Sequence, residues 1–369
     1  MPANRRAIRH RHSRIAPLPP GIFFLSSADY ARRTGGYVYN TRLLAALEQQ
    51  GAEVQPLTLP TGFPTVPQRD RAGLLATLKA LPSGSVVLTD HIYLCDLAEV
   101  FAEAALPVVS IFHHSLVEEQ GASAGDRAQA LRQAEAAAIA RSVRVLVSSA
   151  ETAHYLKSHY GADPHKLRVS VPGNLHVPRS AVGRRSGPAS ILSVGAIIAR
   201  KRYDYMLEVA AHLADFDWRW QIAGDPDRDP AHVAALTARA KELGLADRLT
   251  FLGDVSDENL EAAWQAADLY VATSYYEGYG MAVAEALRHG VPVVTTASGA
   301  VATWATGGVL QAPADDAAAM AALIRPLLAN RPRLQTLSDT AWIFGQTLPT
   351  WEETFAGLAG WIGKLALTC

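Results

Sequence analysis

Cysteine is nearly absent from this sequence, which contains only Cys95 and Cys369. Two cysteines exclude a disulfide-rich scaffold and a cysteine-rich zinc site, and they fit a reducing compartment. An excess of basic charge is missing as well, since 34 Lys and Arg residues face 35 Asp and Glu residues. A general nucleic-acid-binding protein would show a basic excess, so the charge balance argues against that class.

Long apolar runs are also missing. No stretch approaches the roughly 18 consecutive apolar residues of a membrane-spanning helix, so we expect none. What the chain does have is a composition that is 49% hydrophobic and 19% charged, which can bury a sizeable core. Its 369 residues exceed one ordinary core and favour two domains.

Residues 1–20 differ from the rest of the chain because they are strongly basic. The segment holds arginine at positions 5, 6, 9, 11 and 14 and no acidic residue. It lacks the apolar centre of a secretory signal. The pattern favours a disordered arm, and the alternative is a weak contact with an anionic surface.

Short apolar runs alternate with helical patterns through residues 21–180. This alternation predicts a parallel sheet covered by helices on both faces, as in a Rossmann-like domain. An alanine-rich helix is expected over residues 126–141. The strand-like runs cover residues 21–25, 86–88, 108–112 and 143–147.

A polar linker is expected near residues 175–190, and the alternation restarts in a second Rossmann-like domain at residues 188–350. Two α/β domains joined in this way place the expected ligand site in the cleft between them. The second set of strand-like runs covers residues 191–195, 220–224, 249–252, 269–273 and 291–295.

The most informative stretch follows the run at residues 269–273 and reads Tyr-Glu-Gly-Tyr-Gly-Met-Ala-Val-Ala-Glu, from Tyr276 to Glu285. Gly278 and Gly280 allow a ligand to approach the backbone closely. A helix beginning near Gly280 would present N–H groups and its positive dipole end to phosphate oxygens. Two carboxylates, Glu277 and Glu285, could each hold a different sugar ring through its hydroxyls.

This stretch resembles the Glu–seven residues–Glu motif of the family-four retaining glycosyltransferases, which have the GT-B fold of two Rossmann-like domains. Residues 251–255, 267–271 and 290–294 look like the same family. The similarity is specific over most of residues 190–355 and weaker over 21–175. The resemblance implies that a C-terminal helix, residues 352–369, crosses back to pack on the first domain.

The resemblance also implies roles for individual residues. Arg200 and Lys201 would stabilise a departing diphosphate. Many members of the family have a further arginine for this purpose at the position where this chain has Ala196. Glu277 would hold donor-sugar hydroxyls, and Glu285 would hold the ribose. His113 would lie close to the transferring sugar, although His114 could take that position. The further donor-binding residues expected are Gly35, Gly36, Gly195, Gly253, Val255, Gly278, Tyr279, Gly280 and Met281.

The acceptor side is less well defined. Tyr37, Tyr93, His114 and the loop at residues 61–64 are candidates to line it. The acceptor itself could be a carbohydrate, a lipid or a small metabolite. The expected location is cytoplasmic, with at most peripheral contact with a membrane.

The implied reaction is retaining transfer from a UDP- or GDP-sugar to an acceptor hydroxyl by a front-face route, with no cofactor and no metal. The paired aspartates at residues 225–229 lie in a proline-rich surface turn, so a metal role for them is set aside. Two alternatives remain open: a GT-B sugar-nucleotide epimerase or phosphorylase, and a non-catalytic nucleotide-sugar-binding partner. A phosphorylase that uses pyridoxal phosphate would need a dedicated lysine, and none stands out.

Overall fold

A computed structural model describes residues 21–27, 34–59, 65–119 and 125–363. The basic arm at 1–20, the loop at 61–64 and the last six positions of the expected C-terminal helix lie outside these ranges. The described residues build two six-stranded sheets in which every pairing is parallel. The chain therefore has the two Rossmann-like units that its alternating pattern predicts.

The first sheet has the strand order β2-β1-β3-β4-β5-β6. Its strands are β1 Ile22–Ser27, β2 Val54–Leu59, β3 Val86–Asp90, β4 Val108–Phe112, β5 Arg144–Val147 and β6 Leu167–Val169. The helices of this half are α1 Gly35–Gln49, α2 Gln68–Lys79, α3 His91–Ala104, α4 Leu116–Glu119, α5 Asp126–Arg141 and α6 Ala150–Tyr160.

The second sheet has the order β12-β11-β10-β7-β8-β9. Its strands are β7 Ala189–Val194, β8 Trp218–Ala223, β9 Leu249–Gly253, β10 Leu269–Ala272, β11 Val293–Thr296 and β12 Val309–Ala312. Its helices are α7 Tyr203–Ala211, α8 Pro230–Glu242, α9 Asp257–Ala266, α10 Met281–Arg288, α11 Val301–Trp304, α12 Ala317–Ala329 and α13 Arg331–Gly345.

The strand order reverses once in each sheet, between β1 and β3 in the first and between β7 and β10 in the second. In open parallel sheets, ligands bind in the crevice beyond the carboxyl ends of the strands at such a reversal. The loops that follow β1, β3, β7 and β10 are therefore the places where a site is expected.

The end of the chain returns to the first domain. Two short helices, α14 Trp351–Phe355 and α15 Leu358–Gly363, bury Phe355, Leu358 and Ile362 in one cluster with Tyr39 and Leu43 of α1. The prediction of a single helix from residue 352 is therefore wrong, because two short helices stand there instead. Gly357, at φ 66°, adopts a left-handed conformation that ends one helix before the next begins.

The linker also differs from the expectation. Ser180 and Val182 are buried, and the Ser180 N–H donates to the His289 carbonyl. The chain therefore already packs on the second domain at residue 180, because the N–H and the hydroxyl of Ser180 donate to carbonyls at the ends of α10 and α9. Just before it, the Asn174 N–H donates to the Pro349 carbonyl, so the two segments that connect the domains lie side by side.

Candidate functional site

Three charged side chains of the second domain meet at the reversal of its sheet. Lys201, in a turn after β7, donates from Nζ to Oε1 of Glu277 at 2.6 Å, in the loop after β10. The Arg200 Nη1 lies 3.6 Å from the Glu277 Oε2. The side chains of Arg200, Lys201 and Glu277 are 17%, 16% and 14% exposed, so they are shielded and still reachable from the cleft.

Backbone contacts hold these two loops together. The Tyr275 N–H donates to the Arg200 carbonyl at 2.8 Å, and Oγ1 of Thr273 donates to the Lys201 carbonyl at 2.8 Å. Gly195 makes room for the lysine, because a Cβ there would lie 2.8 Å from the Lys201 Cε. These contacts fix the backbone of Arg200 and Lys201 relative to the segment that follows β10.

The electrostatics of the cluster keep Glu277 ionised. Burial raises the pKa of its carboxyl, but the charges of Lys201 and Arg200 outweigh this effect and lower the pKa to about 2. Burial lowers the pKa of Lys201, and the charge of Glu277 opposes that change. The arrangement is a partly desolvated ion pair with a second cation beside it.

The glycine-rich loop and α10 supply the neighbouring wall. Gly280 precedes α10 with φ 90°, and a Cβ there would lie 2.4 Å from Cγ2 of Val301, so only glycine fits. The first N–H groups of a helix have no partner within it, and they suit anionic oxygens. Glu285, half-buried in the second turn of α10, has its pKa raised by burial to about 7.

The first domain contributes a second polar cluster. Nε2 of His113 lies 3.1 Å from Oδ1 of Asp90, at the end of β3. Nδ2 of Asn40, on α1, donates to both Asp90 oxygens at 2.9 and 3.0 Å. A Cβ on Gly36 would lie 3.5 Å from the His113 ring, which places the start of α1 against this histidine.

The two clusters face each other across a closed cleft. A Cβ on Gly278 would lie 2.2 Å from the His113 carbonyl oxygen and 2.8 Å from Cβ of His114. One on Gly35 would lie 3.3 Å from Sδ of Met281. Glu119 of α4 accepts a hydrogen bond from Nε of Arg200 at 2.9 Å, across the domain boundary.

Two of the expected site side chains lie elsewhere. Tyr93, expected on the acceptor side, is 2% exposed, and its hydroxyl donates to Oγ of Ser27 within the core. Tyr279 is 6% exposed and stacks on Trp304 at 4.8 Å between ring centroids. Burial of a large aromatic ring is favourable, and both side chains pack into the interior rather than along the cleft. Of the remaining positions, Tyr37 and Val255 are half-buried, and Gly253 ends β9 at φ 77°.

The aspartate-rich turn has a local structural role. Asp225 accepts from the Asp227 N–H at 2.8 Å, and Asp229 caps α8 by accepting from the His232 N–H at 3.0 Å. Within the described ranges, no three Asp, Glu, His or Cys residues form a group that could hold a metal ion. In that same part of the chain, no helix combines the length and apolar character needed to cross a membrane.

Sequence reasoning missed Asp90, Asn40 and Glu119. Asp90 could have been found, because it ends a strand beside the strand that His113 follows, and neighbouring parallel strands bring their carboxyl ends together. Glu119 has no comparable signal, since its partner Arg200 lies 81 positions away in the other domain.

Comparison with known proteins agrees with this geometry. Residues 179–342 match the family model described as glycosyl transferases, group 1. A curated D-inositol 3-phosphate glycosyltransferase of Geodermatophilus obscurus is 33% identical over 259 residues, covering 62% of this chain and 56% of the relative. Residues 179–342 of this chain therefore form a group 1 glycosyltransferase domain.

A second relative with the same name, from Mycolicibacterium vanbaalenii, is 30% identical over 284 residues, or 70% of this chain and 62% of the relative. The alignments thus span little more than half the length of these curated relatives.

Solved structures extend the structural similarity to both domains. Sucrose-phosphate synthase from Thermosynechococcus elongatus superposes with a TM-score of 0.80 at 22% identity, over 95% of this chain and 100% of that one. Anabaena HepE, solved in complex with UDP and glucose, superposes with a TM-score of 0.74 at 16% identity, over 93% and 99% of the two chains. At these identities the comparisons establish the GT-B fold.

Proposed function

We propose that this chain is a retaining glycosyltransferase that moves a sugar from a nucleoside-diphosphate sugar to an acceptor hydroxyl without a metal ion. The donor is a UDP- or GDP-sugar, and the acceptor is a carbohydrate, lipid or small metabolite. The observation that carries the proposal is the cluster of Arg200, Lys201 and Glu277 at the sheet reversal, facing His113 across the cleft. The UDP bound by the similarly folded HepE supports the class of donor.

In the proposed reaction, the bond between the anomeric carbon and the diphosphate oxygen breaks, and its electron pair leaves with the diphosphate. Arg200, Lys201 and the amides around Gly280 stabilise that charge. The acceptor oxygen attacks the same face of the anomeric carbon, and its proton passes to a diphosphate oxygen. No enzyme nucleophile takes part, so the configuration is retained.

The remaining residues bind and orient the donor. Glu277 accepts hydrogen bonds from donor-sugar hydroxyls while it stays paired with Lys201. His113, held by Asp90, faces the sugar from the first domain. Glu285 accepts a hydrogen bond from a ribose hydroxyl. The backbone of Gly35, Gly36 and Gly278 lies around the diphosphate. Closure of the domains excludes water and limits hydrolysis of the donor.

The test begins with the donor and continues with Lys201→Ala. A thermal-shift screen of UDP-, GDP-, ADP- and TDP-sugars identifies the donor, since a ligand at 100 times its dissociation constant stabilises by about 2.7 kcal/mol. Lys201→Ala then lowers transfer at least about a hundredfold, as loss of a preorganised charge does. The exposed Lys241→Ala is the matched control and retains activity.

Two results would contradict the proposal. Near-normal transfer by Lys201→Ala would remove the assigned role of the cation. A new sugar formed from donor alone, with no acceptor present, would indicate an epimerase instead.

A further inference from the structure

Glu119 is the acidic residue that joins the two domains at the candidate site. Its Oε1 accepts from Nε of Arg200 at 2.9 Å, and its Oε2 lies 3.1 Å from Nε2 of His114. The Glu119 side chain is 29% exposed, so the contact is partly shielded from water. An acid of the first domain thus binds a cation of the second.

The contact fixes the orientation of the arginine. A guanidinium group presents its donors in a rigid planar fork. The Nη1 of Arg200 donates to the Tyr276 carbonyl at 2.8 Å within the second domain, while Nε donates to Glu119 of the first. These two acceptors bind two edges of the guanidinium group and so define its plane. The Glu119 carboxylate is in place only when the two domains are together.

The short helix that carries Glu119, α4, is anchored at its start to Glu135 of α5. The Leu116 N–H, at the start of α4, donates to Oε1 of Glu135 at 2.5 Å, and Oγ of Ser115 donates to Oε2 of Glu135 at 3.0 Å. The Glu135 side chain is completely buried. Because the Glu119 N–H donates to the Ser115 carbonyl at 3.0 Å, this anchoring fixes the backbone from which the Glu119 side chain reaches Arg200.

The charge of Glu119 supports the same interpretation. Burial raises its pKa, but His114 and Arg200 outweigh this effect and lower the pKa to about 2. The carboxylate is therefore ionised at neutral pH, and its hydrogen bond to Arg200 is charge-assisted.

We infer that Glu119 is a positioning residue for sugar transfer: from the first domain it orients Arg200, so that the cation site for the leaving diphosphate is complete only in the closed enzyme. The inference rests on the proposed function. It separates two steps, because a donor can bind to the second domain without Glu119, whereas stabilisation of the leaving group requires it.

The experiment compares Glu119→Gln with Glu118→Gln, a neighbouring acid on the same short helix. Binding of UDP and GDP is measured by calorimetry, and turnover by release of nucleoside diphosphate from the donor found in the screen. Glu119→Gln lowers kcat about tenfold or more while the dissociation constant changes less than about threefold. Glu118→Gln changes neither quantity, and both variants keep the melting temperature of the parent protein.

A double-mutant cycle with Arg200→Lys tests whether Glu119 acts through the arginine. Lysine has no Nε edge for Glu119 to hold, so Glu119→Gln has little further effect on kcat in the Arg200→Lys background. A full additional loss in that background would show that Glu119 acts elsewhere and would overturn the inference.

Other outcomes also overturn it, and they are distinguishable from failure of the proposed function. If the parent protein binds no nucleoside diphosphate and releases none from any donor, the proposed function fails. If the parent does both and Glu119→Gln behaves like Glu118→Gln, only the positioning role fails. Tighter binding with faster turnover in Glu119→Gln would mean that the carboxylate competes with the diphosphate.

Discussion

Replacement of Gly278 by alanine tests whether the two domains touch during catalysis as they do in the structure. Gly278 is buried in the cleft, and it is not among the residues with positive φ, so its backbone conformation accepts a side chain. The nearest atoms that a side chain would meet belong to the opposite domain. A Cβ would lie 2.2 Å from the His113 carbonyl oxygen and 2.8 Å from Cβ of His114.

The magnitude follows from these distances. Real Cβ atoms essentially never approach closer than 3.0 Å, so the loop and the first domain must separate by about 0.8 Å. Both atoms opposite the new methyl group belong to backbone or to a Cβ, which cannot rotate away. A misplacement of about 1 Å between reacting groups costs about a hundredfold in rate. We expect a loss of that size in kcat.

The assay measures transfer and nucleoside-diphosphate affinity for Gly278→Ala and for Gly73→Ala. Gly73 lies on the exposed face of α2, and a Cβ there meets nothing within 4 Å. Alanine at that position is expected to stabilise the helix by about 0.5–1 kcal/mol and to leave activity intact. A Gly278→Ala enzyme with parental kcat would refute the reasoning, because closure would then not bring these faces together.

Two further predictions concern stability. The folded-state pKa of Glu285, raised to about 7, means that ionisation favours unfolding as pH rises above the ordinary value of 4.5. Glu285→Gln therefore increases the free energy of unfolding relative to the parent by at most about 3 kcal/mol at about pH 8, which raises the melting temperature, and it has little effect at about pH 5. Equal shifts of the melting temperature at both pH values would contradict the assignment. Arg288, 4% exposed, donates to the carbonyls of Leu175 and Gly345, and the bond to Gly345 is buried. Arg288→Met leaves the buried Gly345 carbonyl without its donor and costs about 1–3 kcal/mol in urea unfolding. A cost below about 1 kcal/mol would mean that water replaces the guanidinium.

The strands and the sheet class were predictable because buried parallel strands are continuous apolar runs. The run at residues 108–112 became β4 with the same bounds, and the helix at 126–141 became α5 unchanged. Lys201 and Glu277 were placed correctly after β7 and β10, since each lies only a few positions beyond a strand. Information of this kind is local in the chain.

The contacts that cross the cleft were not predictable. Glu119 is one of several acids in a segment without a motif, and its importance comes from where closure places Arg200. The burial of Tyr93 and Tyr279 has a related cause, since packing decides whether an aromatic side chain near a loop enters the core or the cleft. Burial of such rings depends on several elements at once, and no single stretch of sequence encodes it.

The chain passes from the first domain to the second and then returns to the first, so the two domains differ in how many stretches of chain build them. The second half is a continuous stretch, from about residue 180 to residue 345, whereas the first half needs Phe355, Leu358 and Ile362 from beyond it to fill its interior. A fragment cut off after residue 175 would expose part of its own apolar cluster to water. The second half is thus one continuous insertion, whereas the first half is assembled from two separate stretches of the chain.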